Sequence, residues 1–241
     1  MLRFFPERTK LLFFDLEYYV PLAARSRKSL TGMLFAPSLP GHKILGGTFQ
    51  CYYPVQDRLD APTQHWEWQH GSEREVLRAI YRLLRQHWRS IAAKTEMGSL
   101  MLGGIGISHS DVPALLWKLA EHKIAAPDEA YDTLCGCRQI DLSTATFCQF
   151  AFNTGYFAYP KSKAHLYQKY LAGKQMESGK SVWEAYETRN YSAIEGRSRE
   201  EIADAVAIYK SMVELKKRTD SDIRRLRKIE KIQAAAASDD A

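Results

Sequence analysis

The chain has 241 residues, 45% of them hydrophobic and 26% charged, which suits one large globular domain. No apolar run nears the ~20 residues of a membrane-crossing helix, and the start, MLRFFPERTK, lacks a signal peptide's apolar core and cleavage site, so a cytoplasmic protein is expected. The net charge of +6 permits a polyanionic partner without demanding one.

Leu11 to Tyr19 reads LLFFDLEYY. Its apolar opening predicts a buried central strand. Side chains two apart share a strand face, so Asp15 and Glu17 stand side by side at its end. Adjacent carboxylates repel and are costly to desolvate unless a cation lies between them. Magnesium or manganese suits such hard oxygen ligands. The plainer alternative is a strand end in water with both acids hydrated.

A polar, basic loop follows. Met33 to Phe35 and Lys43 to Tyr53 read as strands split by APSLPGHK and paired antiparallel to the first. APTQHWEWQHG reads as a loop. Ser72-Glu73-Arg74-Glu75 is a capping box for a helix whose apolar positions are Val76, Leu77, Ile80, Leu83, Leu84 and Trp88. Met97 to Ile107 is a Gly-rich apolar strand ending in Ser108-His109-Ser110-Asp111. Val112 to His122 is a helix started by Pro113. Cys51, Cys135, Cys137 and Cys148 include only one close pair, which argues against a structural zinc. Gln139 to Phe147 reads as a strand and Ser181 to Tyr186 as a short helix. Residues 150–175 are aromatic and basic without a clear period. Ser198-Arg199-Glu200-Glu201 is a second capping box, opening a helix to about Lys217. The expected organisation is an α/β domain over residues 1–217, with a charged helical or disordered tail over 218–241.

Two further acids stand out. Asp111 follows the Gly-rich strand at the start of a helix. It is either a cap or an acid carried toward Asp15 and Glu17. Asp204 is the only charge in IADAVAIY, on a helix apolar nearly all round, so it needs a partner if buried. Glu200 lies one turn earlier on its face. Glu201 is accounted for by the capping box, and Asp141, a rival for the last of these acids, is better read as a strand end.

Asp-x-Glu ending the first strand, an Asp after a Gly-rich strand entering a helix, and an Asp inside a late helix resemble the DEDD superfamily of 3′–5′ exonucleases. FFDLE is similar to its first motif and GISHSDVPAL, residues 106 to 115, to its second. Glu200 to Asp204 matches the place of the third. The resemblance implies a ribonuclease H-like mixed sheet flanked by helices, to which the residues themselves add a basic C-terminal helical extension. It implies a metal-dependent 3′–5′ exonuclease on single-stranded nucleic-acid ends, DNA slightly favoured over RNA. Asp15, Glu17, Asp111 and Asp204 would hold two magnesium or manganese ions. Tyr18, His109 and Ser110 would contact the strand. The family places a Tyr four or a His five residues before its last Asp; here Glu200 and Arg199 stand there. Glu200 is then the expected base, with His109 or Tyr191 as substitutes.

Arg25, Arg27, Lys28 and Lys161 to Lys169 are candidate phosphate contacts. Trp66, Trp68, Tyr18 and Tyr19 either stack bases or pack in the core, and core is favoured for most. Lys210 to Lys231 carries nine Lys/Arg against four acids, either a nucleic-acid or protein-binding arm or a solvated face. The altered position before Asp204 favours the alternative of a catalytically inactive ribonuclease H-like module binding nucleic acid or a protein. An unrelated α/β enzyme whose acids coincide by chance is the third reading.

Overall fold

The computed structural model describes residues 6–29, 33–92, 99–146, 149, 163–175 and 179–239. Cys148 and the aromatic, basic stretch 150–162, with Lys161, lie outside them. The long apolar strand of the sequence is β1 (Thr9–Tyr19), the middle of a mixed six-stranded sheet. β2 (Lys43–Tyr53) pairs with it antiparallel and carries β3 (Arg58–Leu59) and β4 (Thr63–Trp66) on its other edge. On the far side β5 (Ser99–Gly104) and then β6 (Arg138–Asp141) run parallel to β1.

The helices follow in chain order. α1 is Glu67–His70, α2 Glu73–Ala92, α3 Asp111–Glu121 and α4 Pro127–Leu134. α5 is Leu142–Ala145, α6 Lys163–Tyr170, α7 Ser181–Glu187 and α8 Tyr191–Asp239. No helix among the described residues is long and apolar enough to cross a membrane.

Strand alternation divides β1 between two cores. Leu12, Phe14 and Leu16 pack with Val76, Leu77, Ile80 and Leu84 of α2 and Leu115 and Leu119 of α3. Leu11 and Phe13 pack on the opposite face with Leu166 and Tyr167 of α6 and Ile202, Ala205, Val206 and Ile208 of α8. Asp15 and Glu17 continue that second series, so the strand's period aims both acids at α8. Neighbouring backbones approach closely there. A Cβ on Gly46, whose φ is +137°, would lie 2.0 Å from the His65 carbonyl oxygen.

Several expected boundaries differ. Met33 to Phe35 forms no strand. Phe35 instead stacks on Tyr18 with ring centroids 4.2 Å apart. The expected loop APTQHWEWQHG contains β4 and α1. β6 stops at Asp141 because its side chain accepts the Ser143 N–H and caps α5. Ser72 does cap α2, accepting the Glu75 N–H at 3.3 Å. Ser198 caps nothing. α8 begins at Tyr191, so Ser198 is buried inside the helix, its hydroxyl 2.8 Å from that of Thr48. The helix then runs to Asp239 with no break near Lys217.

Candidate metal centre

α8 turns about 100° per residue, so positions three and four apart share a face. The face on the sheet is marked by Ile202, Ala205, Val206 and Ile208. Glu201 lies one turn before Ala205 on that face and Arg197 one turn before Glu201. Asp204 and Glu200 lie to its other side. Helix register therefore brings Glu201, not Asp204, to the end of β1. Asp15, Glu17 and Glu201 each offer a carboxylate oxygen, and these oxygens lie within 4.8 Å of one another. Glu17 and Glu201 are buried, and the Asp15 side chain is 15% exposed.

Two cations reach into the group. Lys163, at the start of α6, has Nζ 2.5 Å from Glu201 Oε2 and 3.4 Å from Asp15 Oδ1. The Arg197 guanidinium bridges Glu17 and Glu201. The pKa pattern records the crowding. Burial pushes the Asp15 carboxyl up to about 7 against the pull of Lys163. Burial, reinforced by Asp15, raises Glu17 well above the usual carboxylate range. Burial also acts to raise Glu201, but Lys163 and Arg197 outweigh it and hold it low. Lys163 is disfavoured as a cation by burial, yet Asp15 and Glu201 raise it overall.

Asp111 arrives as its sequence context suggested. β5 runs beside β1, with Phe13 opposite Gly103, and Asp111 enters α3 just beyond. Its Oδ1 accepts the Leu16 N–H at 2.9 Å, and its Oδ2 accepts the Ser110 hydroxyl. Both oxygens are thus occupied by protein donors. Burial raises this carboxyl despite the Ser110 and Leu16 hydrogen bonds.

The other expected residues sit differently. Asp204 is bound by Lys174, 2.8 Å from Nζ, and lies outside the trio of converging acids, although it lines one pocket of about 410 Å³ with Glu201 and Arg197. Glu200 has a 75% exposed side chain at the edge of the same ion pair. Asp204 is thus not among the three acids whose oxygens converge, and Glu200 faces solvent. Tyr18 is covered by Phe35, and Ser110 is spent on Gly106 O and Asp111. His109 is 67% exposed, 3.7 Å from Asp141. Asp141 accepts hydrogen bonds from Gly106, Ser108 and Ser143. Burial opposes its charge, but these donors win and lower its pKa, as befits a structural cap.

Trp66 is fully buried, Trp68 is stacked between it and Tyr191, and Tyr19 packs on Tyr186. Arg25 pairs with Glu187 and Arg27 with the Leu34 carbonyl, so neither is a ready phosphate contact. The sequence reading took Glu201 for a capping residue and Lys163 for part of a phosphate-contacting stretch, and it passed over Arg197. The usable signal was the set Ile202, Ala205 and Val206, spaced three and four apart, which marks the buried face of α8.

No protein-family model matches this sequence, and no curated protein matches it.

Proposed function

We propose that the protein is a divalent-metal-dependent phosphodiesterase, acting as a 3′–5′ exonuclease on single-stranded nucleic-acid ends. The observation that carries this reading is the convergence of Asp15, Glu17 and Glu201 within 4.8 Å at the end of a central strand. Three hard oxygen donors of this kind suit magnesium or manganese. The mixed sheet with its acids on the central strand also supports a ribonuclease H-like fold. Glu201 takes the place that the family resemblance gave to Asp204. Gly196 and Arg197 then stand five and four residues before the last acid, where the family has His or Tyr.

In this reading Asp15, Glu17 and Glu201 hold the metal, and Asp111 fixes the end of β1 through the Leu16 N–H. A bound divalent ion would acidify a water ligand and offset charge developing on the phosphoryl oxygens. The water oxygen bonds to phosphorus, and the bond to the 3′ oxygen of the preceding nucleotide breaks. That oxygen takes up a proton, and a 5′-mononucleotide leaves.

A nucleic-acid partner is supported independently on α2. Arg74, Arg78, Arg82, Arg85 and Arg89 recur every three or four residues and share one face. Arg78 pairs with Glu75 and Arg85 with Glu129. Arg74, Arg82 and Arg89 are exposed and have no acidic partner among the described residues. Beside them lies a groove of about 710 Å³ lined by Lys10, His65, His70, Arg82 and His87 and by no acid. Such a surface fits a phosphate backbone.

The test is digestion of 3′- and 5′-labelled DNA and RNA strands with magnesium or manganese. Stepwise loss from the 3′ end, absent in Asp15→Asn, is expected; intact strands with both metals would overturn the reading. One observation favours a second reading, an inactive module that binds nucleic acid or a protein. Lys163 and Arg197 already neutralise much of the acid group. Strand binding without cleavage or metal uptake would establish that alternative.

A further inference from the structure

We infer that the groove between β4, α1 and α2 is a proton-linked phosphate site, in which an anionic phosphate oxygen is held by the His65 and His70 imidazoles with Lys10 and Arg82 as permanent cations. The inference deepens the nucleic-acid reading of this groove given above and does not depend on the acid group. Three elements build the site. Strand period two turns Thr63 and His65 of β4 into the groove. Gln64 between them points the other way and donates to Thr48 and to the Glu195 carbonyl. α1 ends at His70, where Gly71 takes a left-handed φ of +85° and leads the chain into α2. Arg82, Gln86 and Ser90 recur four apart on the α2 face that lines the groove, with His87 beside them. Lys10 enters from β1, its Nζ 2.9 Å from Ser90 Oγ.

The imidazole pair is the first support. His65 Nδ1 lies 3.2 Å from His70 Nε2. Whichever tautomers are present, one of these nitrogens donates and the other accepts. When both rings are protonated, two N–H donors face each other and the contact must open. An anionic oxygen between them accepts from both and offsets their like charge. Phosphate and protons therefore favour each other's binding at this pair.

The second support is charge. The groove is lined by no acid, and its permanent charge is that of Lys10 and Arg82. Burial, helped by His70, holds His65 below the usual imidazole range. Burial and Lys10 do the same to His87, against a weaker pull from Asp60. Asp60 is itself paired with Arg58. Glu67, one turn before His70 on α1, is held by Lys43 and the Tyr186 hydroxyl. Phe49 flanks His65 from β2 and brings no charge. A phosphate is thus the counter-ion this groove lacks. Its imidazoles gain charge as pH falls, so anion binding strengthens in that direction.

The experiment is fluorescence anisotropy of an unphosphorylated oligothymidylate strand on the intact protein in EDTA. Phosphodiesters stay ionised near neutral pH, so the strand's own charge is constant. Binding at about pH 6 should be at least ~10-fold tighter than at about pH 8. His65→Gln with His70→Gln keeps hydrogen bonding but takes up no proton. It should bind within about 2-fold of the wild type at about pH 8 and lose most of the rise at about pH 6. Charge gained elsewhere on the protein remains in the variant and is thereby subtracted. Should the double variant melt early, His70→Gln alone, at a half-buried position, is read in the same way. Calorimetry in two buffers of different ionisation heat should show proton uptake on binding to the wild type and little on binding to the variant. Inorganic phosphate separates the two sources of the ligand. Displacement of the strand marks a site for one phosphate group, and no displacement marks one that needs successive backbone phosphates; the inference stands in either case. A variant that keeps the wild-type rise would overturn it. So would wild-type binding that does not change with pH, which would leave the groove a plain nucleic-acid surface. No strand binding at any pH would sink that surface too, while cleavage with added metal judges the exonuclease reading separately.

Discussion

α8 carries two acid–lysine clusters one turn apart, and they differ in everything but composition. Glu201 faces the sheet, where it meets Lys163, Arg197, Asp15 and Glu17, all largely buried. Asp204 and Glu200 meet Lys174 at the surface, where the lysine side chain is 44% exposed. Asp204 itself is only 13% exposed, so water reaches the second cluster through Lys174 and Glu200 and screens it from that side. The first cluster has no such screen, and each charge there depends on the rest. A helical step of three residues separates a buried acid group bridged by two cations from a pair opened to water by its lysine.

The sharpest way to break this comparison is at Asp15. Asp15→Asn should reduce manganese-dependent strand cleavage by at least about 10³-fold, because a ligand of the ion is lost. The fold should survive. Asp15 is pushed up to about 7, so its ionised form is held at a cost near neutral pH, and Lys163 keeps Glu201 as a partner. The metal-free variant should melt at or above the wild-type temperature in a scanning fluorimetry series. Melting well below it would make Asp15 a structural residue.

Next in size is the contrast between two neighbours on α8. Glu201→Gln leaves Lys163 and Arg197 facing fewer buried acids, and breaking such an arrangement costs about 3 kcal/mol. Manganese-induced stabilisation should also be lost. Glu200→Gln, one residue earlier and 75% exposed, should stay within about 0.5 kcal/mol of the wild type in urea unfolding. An inactive Glu200→Gln with a competent Glu201→Gln would invert the register described here.

These neighbours also show what the sequence could and could not convey. β1 was legible because a strand buried on both faces is written as a continuous apolar run, and period two then placed Asp15 and Glu17 together. Asp111 was legible as an acid closing a Gly-rich strand. Gly104 there comes so near β1 that a Cβ on it would lie 2.7 Å from the Phe14 oxygen. Glu201 was hidden by a false cap. Ser-x-x-Glu has the spacing of a helix start, yet Ser198 is buried mid-helix against Thr48, because the helix already began at Tyr191. Once the start is misplaced, Glu201 is explained away and Asp204 inherits its role. The buried face of α8 is narrow and Ala-rich on its flank, so composition alone does not choose between them. Lys163 lies outside any periodic stretch, and only the packing of α6 brings it to the acids.

A smaller effect is expected on α2, on the sheet face opposite the acids. Replacing Arg74, Arg82 and Arg89 together by Gln should weaken single-strand binding and flatten the slope of log K against log salt by about 2, at ~0.7 per phosphate contact. Fluorescence anisotropy in EDTA isolates this from the metal centre. An unchanged slope would remove α2 from the nucleic-acid surface while leaving the acid group untouched.

The smallest effect belongs to the surface cluster, and it sharpens the comparison from the other side. Asp204 and Lys174 make a close pair, 2.8 Å apart, in the form that would invite a large energy if distance alone decided. Lys174 lies outside the regular elements, between α6 and α7, so fixing its long side chain costs entropy that offsets the attraction. A double-mutant cycle of Asp204→Asn and Lys174→Gln should therefore return a coupling of roughly 0.2–1 kcal/mol, shrinking as salt is raised. Manganese stoichiometry should be the same in all four proteins of the cycle. A loss of manganese binding in Asp204→Asn would mean that this acid does reach the centre when the metal is present. The helix face that separates the two clusters would then have to turn as the ion binds.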